Sequence, residues 1–277
     1  MSEGDIYSLN DPHVESLTYD FEVLDNSHDF SNAEPMDVAL PGFQCRLEGA
    51  KLRVTPLDHY SDVDEVQAVL EKRLEAWEVV AEIERDVRVK FWFVEGWVAD
   101  RQPDPEGAAG RGTVSMRLTT GGSGTLVHSS YPAPPPDHFA ASDLVQVLRR
   151  IYGDHRTRGQ RLLVSAQLAL TKLEHAFSGR KKAAKALGIS SKVLRKLGEL
   201  GNRHDPVRGR KFHGSPEPLI AEEVVWVNDV LRLLPRRAGE VASGAPDLPF
   251  VRLSDLPPLP AEGGNKVATQ GDGIDRT

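Results

Sequence analysis

The sequence predicts an α+β fold, with an antiparallel sheet and one main helix first, followed by an all-α helical domain. Apolar residues alternate with polar ones in several stretches before residue 131, whereas helical spacing dominates after residue 140. A Pro-Ala-Pro-Pro-Pro run at 132–136 separates the two patterns. With 277 residues, 39% of them hydrophobic, the chain is long enough to bury a substantial core.

Period-two patterns predict the strands of the first half. The first strand is predicted from four alternating apolar residues: Leu17, Tyr19, Phe21 and Val23. A hairpin is predicted from Phe43 to Val54, because apolar alternation flanks Glu48-Gly49-Ala50-Lys51. Strands are also expected over 87–94 and 114–118, and Gly121–Gly124 is expected to turn the latter back into 125–128.

Helical spacing of apolar residues predicts the helices. One helix over 63–83 belongs to the sheet region, with Ser61 or Asp64 as its N-cap. Four further helical stretches are predicted in the second half, at about 142–152, 160–177, 180–197 and 218–236. The last of them has an apolar face broad enough for burial in a bundle or against a second subunit, so a homodimer through 218–236 is one expectation.

These patterns divide the chain into five segments. We expect an acidic disordered tail (1–15), an α+β domain (16–131), a Pro-rich linker (132–139), a basic helical domain (140–238) and a disordered tail (239–277). In the last segment, docking of Phe250, Val251 and Leu253 on the body is the alternative to disorder.

Charge is distributed very unevenly along the chain. The formal net charge is −7, yet the first 40 residues contain ten acids and neither Lys nor Arg. Residues 140–213 contain 17 Lys or Arg and 5 acids, a net charge of +12. Such a block is typical of a nucleic-acid-binding surface, and the alternative is a solvated helical surface that faces the acidic N-terminal half.

The segment 180–197 resembles a helix-turn-helix. Ala184, Gly188 and Leu194 match its pattern of a small residue, a turn glycine four positions later and a buried aliphatic residue six further on. Ala184 allows the two helices to cross closely, Gly188 tolerates a positive φ, and Ser190 is placed to cap the second helix. The resemblance implies that the second helix presents its polar face to nucleic acid.

Ten residues are therefore candidates for nucleic-acid contact. Six lie in or beside the two helices, namely Lys181, Lys185, Ser191, Lys192, Arg195 and Lys196, and four lie in the loop that follows, namely Arg203, Arg208, Arg210 and Lys211. Arg180 is also expected near the phosphates. The second helix offers basic residues and serines but no Asn or Gln for adenine, so we expect contacts mainly with the backbone.

The C-terminal helices also resemble the HEPN bundles of bacterial defence and toxin systems, in which four to six residues lie between an Arg and the His that follows it. Arg150 and His155 have that spacing, as do Arg208 and His213. In the family a polar residue usually follows the Arg, whereas Ile and Gly follow it here. The resemblance implies a helical bundle and an RNA-acting alternative, and we assign no catalytic residue from it.

Other enzyme classes have no motif in this sequence. Gly-Lys-Ser/Thr does not follow Gly121–Gly124, and neither Gly-x-Ser-x-Gly nor His-Glu-x-x-His occurs. We expect no metal site and no cofactor. Cys45, the one cysteine, is expected to be buried and inert in a reducing, cytoplasmic compartment. No stretch is apolar enough to predict a membrane span, and no secretory signal is predicted.

The leading hypothesis is a non-enzymatic, bacterial-type protein whose basic helical domain contacts nucleic acid. The first alternative is a HEPN-like effector that acts on RNA. The second is a protein-interaction module whose basic domain binds an acidic partner.

Overall fold

The fold is α+β, as predicted. A computed structural model describes residues 10–25, 27–102, 110–114, 126–157, 161–202, 219–245 and 248–260. Its sheet and its helical bundle lie on opposite sides of one long helix. None of the helices within these ranges combines the length and the apolar run that a membrane span requires.

One antiparallel sheet holds most of the strands, in the spatial order β3-β4-β5-β1-β6-β7. The strands are β1 (Pro12–Val23), β2 (His28–Asp29), β3 (Met36–Leu40), β4 (Phe43–Glu48), β5 (Lys51–Pro56), β6 (Val89–Asp100), β7 (Gly110–Val114) and β8 (Leu126–Val127). β2 and β8, each two residues long, pair in parallel in a separate small sheet.

The predicted hairpin is confirmed in β4 and β5. Gly49 and Ala50 both have positive φ, 56° and 60°, as a tight two-residue turn requires. Phe43, Cys45 and Leu47 point into the core and their neighbours point outward, because side chains of a strand alternate between its faces.

The predicted return strand pairs differently. β8 pairs in parallel with β2, so it is not the antiparallel partner of the strand near Val114. Met116, Leu118 and the glycine turn at 121–124 lie outside the described residues.

The first half of helix α1 (Val63–Arg85) packs on the sheet. Its second half is covered by the sheet on one side and by the other helices on the opposite side. Its N-cap is Asp62, whose side chain accepts from the Asp64 N–H, rather than Ser61 or Asp64. All eight residues from Ala76 to Ile83 are buried. Trp77 and Ala81 belong to the sheet-side core, while Val79 and Ile83 belong to the helical core.

Five helices form the bundle on the other side of α1. They are α2 (Asp143–Thr157), α3 (Leu162–Ala176), α4 (Arg180–Ala186), α5 (Ser191–Asn202) and α6 (Ala221–Ala242). Trp226, Val230 and Leu234 of α6 are fully buried in this bundle, whereas Ile220, Val224 and Val225 at the start of the helix are 37–51% exposed. Burial within the chain therefore accounts for part of the predicted apolar face, and nothing in the structure supports a homodimer through 218–236.

The structure differs from the predicted segments in three places. Pro12 and His13 pair with β6, so β1 begins within the segment predicted as an acidic tail. The 132–139 segment is anchored at both ends, because Trp77 Nε1 donates to the Pro132 carbonyl at 3.0 Å and Phe139 is buried beside α6. Beyond residue 238, α6 continues to Ala242 and residues 248–251 pack on the bundle, whereas 261–277 lie outside the described residues.

Candidate nucleic-acid interface

The turn between α4 and α5 is closed by a positive φ at its glycine and by local hydrogen bonds. Gly188 has φ +61°, and the Ile189 N–H donates to the Ala184 carbonyl at 2.9 Å, which closes the end of α4. The Ser190 hydroxyl accepts from the Lys192 N–H at 3.3 Å and caps α5. The sequence-based roles of Gly188 and Ser190 in this turn are confirmed.

A small apolar core holds α3, α4 and α5 together. Ala184 is 3% exposed, and the remaining members are Ala183, Leu187, Ile189, Val193, Leu194 and Leu197, all at 0–1%. The small side chain of Ala184 permits the close approach of the two helices. The orientation of α5 relative to α4 is therefore fixed by packing.

The opposite sides of α4 and α5 expose a set of cations, which we call the basic face: Lys181, Lys182, Lys185, Lys192 and Arg195. Ser191 is exposed beside them at the start of α5. None of the acids that the structure describes forms an ion pair with any of these four lysines. Across 161–202, which spans α3, α4 and α5, the sequence has nine Lys or Arg and two Glu, so this segment carries a formal charge of +7.

Two predicted contact residues have other roles. The side chain of Lys196 is only 15% exposed, and its Nζ lies 3.8 Å from Glu199. Arg180 lies across α5 at Gly198, where a Cβ would come within 2.7 Å of its Nη1, and its Nε donates to Glu174 at 2.7 Å. Both cations are held by the fold and are poorly placed to reach a phosphate.

Arg195 remains exposed, although it shares Glu199 with Lys196. Its side chain is 68% exposed, and its Nε lies 3.4 Å from Glu199 Oε1. Such an exposed i,i+4 pair is weak and is broken at little cost. Arg195 therefore stays available to an external anion.

Sequence reasoning missed one member of the basic face and left four candidates that the structure does not place. Lys182 is exposed on α4, and its signal was the Arg180-Lys181-Lys182 run at the start of that helix. The four loop candidates, Arg203, Arg208, Arg210 and Lys211, lie outside the described residues.

The C-terminal segment 248–251 closes over the turn. The Ser190 N–H donates to the Val251 carbonyl at 2.8 Å, and the Val251 N–H donates to the Gly188 carbonyl at 2.8 Å. Arg237 of α6 holds the same segment by donating to the Pro249 carbonyl at 2.6 Å. Of the two alternatives for this segment, disorder or docking on the body, the structure shows docking, and it occurs through Val251. Phe250 remains 56% exposed. The segment braces the turn and leaves the basic face uncovered.

Residues named for catalytic or metal chemistry do not form a site in the described ranges. Arg150 and His155 lie five residues apart on α2, which separates them by about 140° around the helix axis. Within the described residues, no group of three or more His, Cys, Asp or Glu side chains is arranged to hold a metal ion. Cys45 is 1% exposed, and burial raises the pKa of its thiol to about 12, as expected of an inert cysteine.

No known family model, curated protein or solved structure matches this chain. The helix-turn-helix and HEPN resemblances thus rest on the residues quoted above for each.

Proposed function

We propose that this protein binds nucleic acid through the basic face, mainly by contacts with backbone phosphates. The observation that carries the proposal is the set of exposed lysines on α4 and α5, which have no acidic partner among the described residues. Phosphates attract such side chains without reading sequence, and binding releases condensed counterions.

The polar groups of α5 favour backbone contact over base readout. Ser191 is the one exposed neutral side chain in the first turn of the helix. Asn202 lies at the far end, where its amide oxygen accepts from Gln167 at 2.8 Å. Sequence-specific binding usually needs several amide or guanidinium groups near the base edges, and Arg195 is the one such group exposed in the first half of α5. We therefore propose binding of low sequence specificity.

The test measures fluorescence anisotropy of the full chain with random duplex DNA and single-stranded RNA across a salt series. We expect affinity to fall steeply with salt, since each neutralised phosphate contributes roughly one unit to the slope of log K against log salt. Lys192→Ala with Arg195→Ala should weaken binding and flatten that slope by about two units.

A second double variant, which loses the same amount of charge elsewhere, controls for the effect of total charge. Arg53→Ala with Lys72→Ala removes the same two charges from exposed positions on β5 and α1, far along the chain from the basic face. Equal losses in the two double variants would contradict a localised interface. No binding to either nucleic acid would favour an acidic protein partner, and cleavage of the RNA during the titration would favour the HEPN-like alternative.

A further inference from the structure

Two adjoining cavities form a groove at the junction between the sheet and the bundle. Their volumes are about 560 Å³ and 400 Å³, and they share Glu82, Arg88 and Gly153. The walls come from the end of α1, from α2 and from the chain just before β6. The residues that line it include six Arg or Lys, namely Arg85, Arg88, Lys90, Arg149, Arg150 and Arg156, and five acids, namely Asp25, Glu78, Glu82, Asp86 and Asp154. Arg156 is paired with Asp86. We call this groove the arginine groove.

Two buried carboxylates form its base, and each is already neutralised. Glu78 is 3% exposed and accepts from Lys90 Nζ at 3.1 Å and from the Phe91 N–H at 3.2 Å. Glu82 is 6% exposed and is paired with Arg149. Burial raises the pKa of Glu78, and these hydrogen bonds act against that rise. Lys90 and Arg149 are therefore occupied by the protein itself.

Gly153 of α2 gives Glu82 the room that this arrangement needs. A Cβ at Gly153 would come within 2.5 Å of Glu82 Oε1, so the Glu82 carboxylate would have to move. Glycine inside a helix costs about 1 kcal/mol relative to alanine. Glu82 lies against Gly153 and is paired with Arg149, which lines the same cavity.

Three arginines in the groove are left without an internal anion. None of the acids that the structure describes forms an ion pair with Arg85, Arg88 or Arg150, and Arg85 has only a long contact, 3.5 Å, with Ser130 Oγ. Arg88 is half-buried and is common to both cavities. A guanidinium presents a planar fork of donors that matches the oxygens of phosphate or carboxylate.

We propose that the arginine groove binds a small molecule that carries at least two oxyanion groups. Arg88 holds one group at the centre, where the two cavities meet, and Arg150 or Arg85 holds another to one side. The cavity volumes lie within the range of small-ligand sites, roughly 300–1,000 Å³. This site is separate from the basic face, which lies on α4 and α5.

The test is isothermal titration calorimetry of the full chain with two probes, inorganic pyrophosphate and citrate. Saturable binding of one probe at a stoichiometry near one supports the proposal, and the preferred probe identifies phosphate or carboxylate as the recognised group. Arg88→Gln should weaken binding at least tenfold, and so should either Arg150→Gln or Arg85→Gln, according to which arginine holds the second group. Arg88→Lys, which keeps the charge but loses the fork, should also weaken it.

Two controls separate this site from general charge and from the proposed function. Lys172→Gln removes an exposed charge on α3 and should leave the affinity unchanged. The Lys192→Ala, Arg195→Ala double variant should lose nucleic-acid affinity and keep anion binding. Absence of saturable binding to both probes would overturn the proposal, as would an equal loss in Lys172→Gln and Arg88→Gln.

Discussion

His28 and His128 form a close pair beside the arginine groove. Their rings stack with centroids 5.0 Å apart, and His28 Nδ1 lies 2.7 Å from His128 Nε2. That hydrogen bond requires at least one of the two facing nitrogens to lack a proton. Burial lowers the pKa of His128, and the nearby His28 and Arg85 lower it further.

We expect this pair to make stability depend on pH. Because the native state lowers the pKa of His128, the unfolded state binds more protons as pH falls below about 6.5, and the free energy of unfolding decreases there. The measurement is urea denaturation at several pH values between 7 and 5. His128→Gln should reduce the loss of stability over that range.

The exposed His138 supplies the control for this measurement, since His138→Gln should leave the pH dependence as it is. Some dependence should persist in His128→Gln, because burial and the neighbours Arg101 and His59 also lower the pKa of His13. An unchanged pH dependence in His128→Gln would count against the prediction.

Single-residue predictions succeeded where local geometry decides the outcome. The positive φ of Gly188 and the cap of Ser190 follow from residue type and position in a short turn. Lys196 was predicted to be exposed because of its position on the polar face of α5, but its side chain is only 15% exposed and its Nζ lies 3.8 Å from Glu199. The spacing of Lys196 and Glu199, three positions apart on one helix, was a readable signal for that pairing.

At the scale of helices and strands, the ion pairs that connect α1 to the bundle include two in contrasting environments. Arg149 of α2 reaches Glu82, and these side chains are 16% and 7% exposed. Arg236 of α6 reaches Glu84 at 3.2 Å, and these are 53% and 45% exposed. When one partner of a buried pair is removed, the remaining charge stays in the low-dielectric interior without a counter-charge. When one partner of an exposed pair is removed, water solvates the remaining charge.

We therefore expect Arg149→Met to destabilise the protein by about 3 kcal/mol or more, since it leaves Glu82 buried without its cation. Arg236→Met should cost less than about 1 kcal/mol. Chemical denaturation monitored by circular dichroism compares the two variants directly. Similar losses from both substitutions would show that burial does not govern these contacts.

Most elements could be predicted from the sequence because their patterns are local. The hairpin of β4 and β5 and the helices α2 to α6 follow from apolar period and turn residues over short windows. The parallel pairing of β2 with β8 and the docking of Val251 on Gly188 join residues far apart in the chain. Neither contact leaves a periodic signal, and only tertiary packing determines it.

The arginine groove was beyond sequence reasoning for the same reason. Arg88 precedes β6, while Arg149 and Arg150 belong to α2, about sixty residues later. The one local hint was the pair Glu78 and Glu82 within an otherwise apolar stretch of α1. Such carboxylates, buried on a helix, indicate cationic partners but do not identify them.

At the scale of the whole molecule, α1 makes the sheet and the bundle depend on each other. Trp77 and Leu74 fill the sheet-side core, and Val79, Val80 and Ile83 of the same helix fill the other core. The 132–139 segment adds a second connection through Trp77 and Phe139. The two halves that the sequence separates thus share one structural layer.

This shared layer predicts a single cooperative unfolding transition. Cys45 lies in the sheet-side core at 1% exposure, so its labelling by a thiol reagent in urea reports opening of the sheet. Circular dichroism at 222 nm reports mainly the helices, most of which lie in the bundle. We expect the two urea midpoints to coincide, because the loss of α1 exposes both cores at once.

Val79→Ala sharpens this test, since Val79 is fully buried against the bundle and lies outside the sheet-side core. The cavity should cost about 1–3 kcal/mol. In a cooperative molecule that cost lowers the thiol-labelling midpoint as much as the dichroism midpoint, although Cys45 is on the other side of α1. If the dichroism midpoint alone moved, the bundle would unfold independently, and α1 would remain folded on the sheet with its Val79 face exposed to solvent.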